Sequence, residues 1–201
     1  MINKIGKCTH IMGCRWALVL ASFCLLCLLS CAGSQGSLFL NTDFNFKSIQ
    51  TVAVIPFENL SDDQGAAMRV TRIFVAELLS KRAFDVIEPG EVSKALEKYS
   101  VVRTADLQKG QIQEIAKTLG VQALFLGSVN ESTSGRNGSP SSSEVTLGAR
   151  LVEIDKGATI WSATYTEGGR SFFQVIFGLE PDTKSSVTME CVKGLIKTLI
   201  H

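Results

Sequence analysis

The sequence has 201 residues, enough for a leader and one domain of ordinary size. Its 20 basic and 19 acidic residues nearly cancel, and no run of like charge occurs, so the electrostatic footprint of nucleic-acid binding is missing. The histidines are His10 and the terminal His201, which leaves histidine-based catalysis without a well-placed imidazole.

The chain begins with Lys4, Lys7 and Arg15 and no acidic residue, followed by a run from Trp16 to Leu29 that is almost free of polar side chains. The run closes in Leu28-Leu29-Ser30-Cys31. A cationic start, a short apolar middle and a small-residue exit describe an export signal. The run is shorter than the roughly 20 residues a bilayer-spanning helix needs. Leu-Leu-Ser-Cys resembles the lipobox of bacterial lipoproteins. That resemblance implies cleavage before Cys31, a diacylglycerol on its thiol and an acyl chain on the new amine, with no other cofactor. Cys31 is therefore the candidate lipidation site. Two or three chains on one residue suffice for stable anchoring. Cys24 and Cys27 keep an ordinary signal peptide open as the alternative, but only Cys31 sits at the polar edge of the run. In the lipoprotein family an aspartate after the cysteine signals inner-membrane retention, so by that resemblance Ala32 implies the outer membrane. The expected organisation is a signal over 1–30, a lipidated N-terminus and short linker over 31–48, and one domain over 49–201.

Residues 32–48 mix Gly, Ser and Asn with a few apolar residues, and read either as a tether or, from Phe39 to Phe46, as a segment docked on the domain. Residues 50–57 (QTVAVIPF) predict a strand buried on both faces. A helix follows over 64–82, with Val70, Ile73, Phe74 and Leu78 inward, a capping box from Ser61 to Gln64, and a Glu77–Lys81 pair on the wet side. Phe84 to Glu88 alternates as a strand, and Pro89-Gly90 stops it. Helices over 91–99 and 111–119 come next, the second ended by Gly120. Val121 to Asn130 is an apolar strand, and its Gly127 predicts a bulge or a close backbone approach.

Residues 131–143 are polar and low in complexity, a loop with no phosphate-cradle ending. Glu144 to Asp155 alternates, with Val145, Leu147, Ala149 and Leu151 on one face. Lys156-Gly157 predicts a two-residue hairpin turn into a strand over 158–166 carrying Trp161 and Tyr165. Residues 167–183 crowd Phe172, Phe173, Ile176 and Phe177 between glycines and a Pro-Asp turn, either as core cover or as a partner-binding patch. A helix over 184–200 ends the chain, with Val187, Cys191, Leu195 and Leu199 inward, and Cys191 reads as a buried apolar residue. The sum is an α/β (α+β) single domain: a mixed sheet with an antiparallel C-terminal hairpin and helices packed on it.

The stretches TVAVIPFENLS, ELLSKRAFDVIEPGEVSKALEKY, AKTLGVQALFLGSVNES and ARLVEIDKGATIWSATYTEGG resemble the curli-export (CsgG) group. They are also similar to the lipoprotein activators of penicillin-binding proteins (LpoB) and the N-terminal domain of TolB. The resemblance spans roughly residues 50–200 and implies an anticodon-binding-like domain in the periplasm that helps to assemble or export envelope components. It carries no catalytic signature. A curli-type barrel needs two membrane hairpins of roughly 20 residues each, and neither 131–143 nor 170–183 offers one.

The function expected is a non-enzymatic, outer-membrane-anchored accessory factor facing the periplasm. Its partners would be the membrane, envelope proteins and copies of itself, with no nucleic acid and no small-molecule substrate. The alternatives are a subunit of a secretion channel and a regulator of a cell-wall synthase. An enzyme is the least supported reading, since its candidate carboxylates, Glu153 and Asp155, fall at a hairpin turn.

Overall fold

The computed structural model describes residues 36–134, 143–168 and 183–200. The first strand, β1 (Leu38–Leu40), lies inside the segment first read as tether or docked element. It is docked, pairing antiparallel with β7 (Thr159–Gly168) in the register Phe39 to Ser162. Phe44 and Phe46 then pack against the core on the way to β2 (Thr51–Val54). The domain thus begins at least ten residues before the expected boundary at 49.

β2 is apolar on both faces because it lies between two layers. Val52 and Val54 face one core, while Ala53 and the following Ile55 face the other. β3 (Glu58–Asn59) extends the same side of the sheet along β5 (Ala123–Ser134), and no periodicity marks it. Helix α1 (Ala66–Lys81) buries Ala66, Val70, Phe74 and Leu78, with Ile73 half-buried. The expected Ser61–Gln64 capping box does not form. Asn59, held on the sheet by β3, accepts from both the N–H and the hydroxyl of Ser61, and the helix starts later, after Gly65. The Glu77–Lys81 pair is present at 3.4 Å.

β4 (Asp85–Val86) is two residues long, an edge strand parallel to β2, where a five-residue strand was expected. Helix α2 (Pro89–Lys98) begins on Pro89 itself, since proline is suited to the first helical position. A 3-10 turn over Thr104–Asp106 leads to α3 (Lys109–Leu119). Its start is secured by the Gln108 N–H donating to Gln111 Oε1, and its end by Gly120 at φ +66°.

β5, β6 (Ser143–Glu153) and β7 form an antiparallel ribbon. β5 and β6 both run into the stretch expected as loop; residues 135–142 lie outside the described residues. A register shift falls between Val129 and Glu131, beyond Gly127. Gly127 itself is needed for close approach: a Cβ there would stand 2.4 Å from the Phe57 ring and 2.7 Å from the Gly148 carbonyl oxygen. The β6–β7 turn spans four residues, not two, because Glu153 N–H already bonds to Ala158 O. The Glu153 carboxylate is buried and accepts from the Asp155 and Lys156 amides, so it is a turn ligand and not an exposed acid.

Helix α4 (Lys184–Lys197) closes the domain with Val187, Cys191, Leu195 and Ile196 inward. The described strands form one mixed seven-stranded sheet in the order β1-β7-β6-β5-β2-β4, with β3 beside β5. α1 and α4 pack on one face; α2 and α3 pack on the other. The first core is threaded by aromatic contacts: Phe57 to Phe74 at 5.2 Å, Phe74 to Phe125 at 5.3 Å and Phe125 to Trp161 at 6.1 Å between ring centres. Trp161 Nε1 donates to Thr198 Oγ1, fastening the end of α4 to β7.

Candidate functional site

The two faces of the sheet are unequally covered. α2 and α3 shield Ala53, Ile55, Leu124, Leu126 and Val152, which lie on β2, the first half of β5 and the end of β6. Among the described residues, nothing packs over the rest of that face. Its residues are the second phase of the alternation: Ser128 and Asn130 on β5, Thr146, Gly148 and Arg150 on β6, Ser162, Thr164 and Thr166 on β7. All are half-buried or exposed. Their opposite-phase neighbours (Val129, Val145, Leu147, Ala149, Trp161 and Ala163) are buried under α1 and α4. A period of two with one apolar and one polar face is what a strand with one wet side requires.

Part of this face is a concavity of about 370 Å³, floored by Gly148 and bordered by Leu60, Thr104 and Ala105. A Cβ on Gly148 would meet Asn130, Ser128 and Thr164 side chains at ordinary contact distance, 3.6 to 3.9 Å. At the rim, Glu58 accepts from Arg103 at 2.9 Å. Ser128 donates to Asn130 at 2.7 Å, and Thr146 and Thr166 hydroxyls meet at 3.0 Å. The surface offers hydroxyls, an amide and the exposed Arg150 guanidinium, the means to hold a polar partner. Its carboxylate, Glu58, stands in register with Ser128 but is engaged by Arg103, while the Ser128 hydroxyl donates to Asn130. Among the described residues, no group of three or more His, Cys, Asp or Glu could hold a metal ion.

The edge is the second exposed feature. On β1, Leu38, Phe39 and Leu40 are 55%, 51% and 37% exposed. Leu38 and Leu40 stand in register with Ala163 and Trp161, on the face of α1 and α4, while Phe39 stands beside Ser162 on the open face.

A third feature is structural. Asp63, just before α1, binds Arg69, Lys184 Nζ at 3.1 Å and Ser132 Oγ at 3.1 Å. It also accepts the Gly65 amide. Burial of the carboxyl works against ionisation, but the hydrogen bonds from Lys184, Arg69 and Ser132 outweigh it and hold the pKa well below the usual carboxylate range. Asp63 thereby ties the starts of α1 and α4 to β5. Cys191 is enclosed between α4 and the sheet, and burial pushes its thiol up to about 12.

The proposed lipid site Cys31 and the candidate contact residues Phe172, Phe173, Ile176 and Phe177 lie outside the described residues. Among the described residues, no helix is long and apolar enough to cross a membrane. Sequence reading missed both exposed surfaces. The open face was legible as alternation in β5 to β7, but the edge needed the β1–β7 pairing to be seen.

No protein-family model matches the chain, and no curated protein matches it at a significant level. Solved structures do match in fold. A variant of PelC from Paraburkholderia phytofirmans, described as a dodecamer, aligns with TM-score 0.58 at 19% identity, over 82% of this chain and 98% of that one. The lipoprotein GNA1162 from Neisseria meningitidis aligns with TM-score 0.56 at 19% identity, over 75% and 97%. The LpoB C-terminal domain from Salmonella enterica matches more distantly, with TM-score 0.46 at 16% identity, over 58% and 81%. At these identities the likeness to PelC and GNA1162 is one of fold.

Proposed function

We propose that this chain is a bacterial lipoprotein, attached through Cys31 to the outer membrane and facing the periplasm, that works by touching other proteins and not by catalysis. The observation that carries the reading is the position of β1. Its first residue, Leu38, follows Cys31 by only seven positions, and its uncharged apolar edge is open. Even fully stretched, seven residues span at most about 25 Å, so an anchor at Cys31 keeps the sheet beside its own bilayer. That geometry suits work on neighbours in the same membrane. It suits a synthase regulator poorly, since such a regulator has to reach across the periplasm.

The fold neighbours lend support in kind. One is described as a lipoprotein and another as a dodecamer, which favours a membrane-attached protein whose partners include its own copies. The Phe172, Phe173, Ile176 and Phe177 cluster is the candidate contact for an envelope protein. No cofactor beyond the covalent diacylglycerol and N-acyl chain enters this reading.

Mass spectrometry of the mature amino terminus tests it. The expected species begins at Cys31 and carries the lipid mass, and Cys31→Ser leaves the membrane fraction. An unmodified chain with another start overturns the reading. Crosslinking the native protein in its membrane, with Phe172→Ser, Phe173→Ser and Phe177→Ser combined as the comparison, then identifies what it touches.

A further inference from the structure

β1 forms one end of the sheet, and the hydrogen bonds fix which of its backbone groups β7 uses. Ser37 O accepts from Thr164 N–H, and Asn41 N–H donates to Ile160 O, so the odd-numbered residues face β7. In an antiparallel ladder the facing residues alternate, so the N–H and C=O of Leu38 and Leu40 point away from the sheet. An edge with no charge and no proline is a template for another strand.

This edge is complementary to itself, because Leu38-Phe39-Leu40 reads the same in both directions. We propose that two copies of this chain pair antiparallel through β1, about a two-fold axis at Phe39, joining their sheets edge to edge. Leu38 then exchanges both backbone hydrogen bonds with Leu40 of the partner subunit, using the groups that β7 leaves free. Phe39 meets the partner's Phe39 as the narrow, non-hydrogen-bonded pair, with Cα atoms about 4.5 Å apart. The leucines meet leucines on the face of α1 and α4, and the two rings meet on the open face. No charged side chain stands on β1, so the copies approach without like-charge repulsion across the pairing.

The contact is small. Three residues a side fall well short of the roughly 800 Å² per partner of a stable solution interface. The pairing is therefore weak in dilute solution and fills when copies share a surface, where tethering raises their effective concentration. In that respect it rests on the anchored reading above, and it names one partner of that reading, a second copy.

The test uses the full chain in its own membrane, with single cysteines introduced by Phe39→Cys, Leu38→Cys, Leu40→Cys or Val102→Cys, and oxidation by oxygen with a copper catalyst. Val102 is 94% exposed and reports random collision. The unsubstituted chain, whose Cys191 is buried, sets the background. Phe39→Cys gives a disulfide dimer, because its pair falls inside the roughly 4.4–6.8 Å Cα range of a disulfide. Leu38→Cys and Leu40→Cys alone place like positions two residues out of register, about 8 Å apart, and crosslink roughly ten-fold less.

Mixing the Leu38→Cys chain with the Leu40→Cys chain restores the crosslink, which keeps the test decisive if Phe39→Cys weakens the pairing. Equal crosslinking at positions 38, 39, 40 and 102 overturns the proposal, as does no crosslink in either the Phe39→Cys chain or the mixture. The lipid mass at the amino terminus is read on the same samples. An intact anchor without register-specific crosslinks sinks the pairing alone. Register-specific crosslinks on an unlipidated chain sink the anchor alone.

Discussion

Asp63 shows what one side chain decides. Its carboxylate gathers Arg69, Lys184 and Ser132, which come from two helices and a strand. Its pKa is depressed, so the stability it contributes is complete above the unfolded value of about 4 and is lost as pH falls through the folded value. Asp63→Asn should lower stability at neutral pH by about 1.5–3 kcal/mol, the range for hydrogen bonds to a charged group. It should also flatten the fall in melting temperature between pH 4 and pH 2. Circular-dichroism melts across that range check both parts; parallel curves for the two proteins would refute the account. In the sequence Asp63 is one of two adjacent acids ahead of a helix, a place that suits the positive end of its dipole. Lys184 stands 121 positions away, so the partnership was out of reach of any local pattern.

At the scale of elements, periodicity revealed most of what periodicity can. The inward faces of α1, α3 and α4 and the buried phase of β6 were legible, because a helix or strand with one wet side writes its burial into the spacing of its apolar residues. β3 and β4 were missed or overlong because two-residue strands carry no period and are set by their neighbours. The hairpin turn was misread because a buried glutamate supplies the turn's amide acceptors, and Lys-Gly looked sufficient alone. The Gly127 expectation was met in its close-approach form. Gly127→Ala should destabilise by about 1–3 kcal/mol, since the added carbon meets the Phe57 ring and the backbone of β6. Urea denaturation measures it. Gly148→Ala, on the same ribbon but with its added carbon meeting side chains only at ordinary contact distance, serves as the neutral comparison.

For the molecule as a whole, two cores on opposite faces of one sheet share β2 and β5. Neither core can open without exposing the central strands, so the described residues should unfold as one cooperative unit. Cys191 reports this directly. With its thiol buried and raised to about 12, alkylation at pH 8 should be negligible in the native protein. It should rise with urea along the same curve as the loss of secondary structure, followed by mass spectrometry of the peptide that contains it. Labelling that precedes the main transition would mean that α4 lifts off on its own.

The pairing of β1 with β7 has a consequence for how such a chain comes into being. Among the described strands, the first made is completed by the last. A polypeptide delivered amino end first therefore carries Leu38-Phe39-Leu40 bare while more than a hundred further residues emerge. Long-range closure of this kind is slow. Until β7 arrives, that apolar tripeptide has no strand of its own chain to pair with.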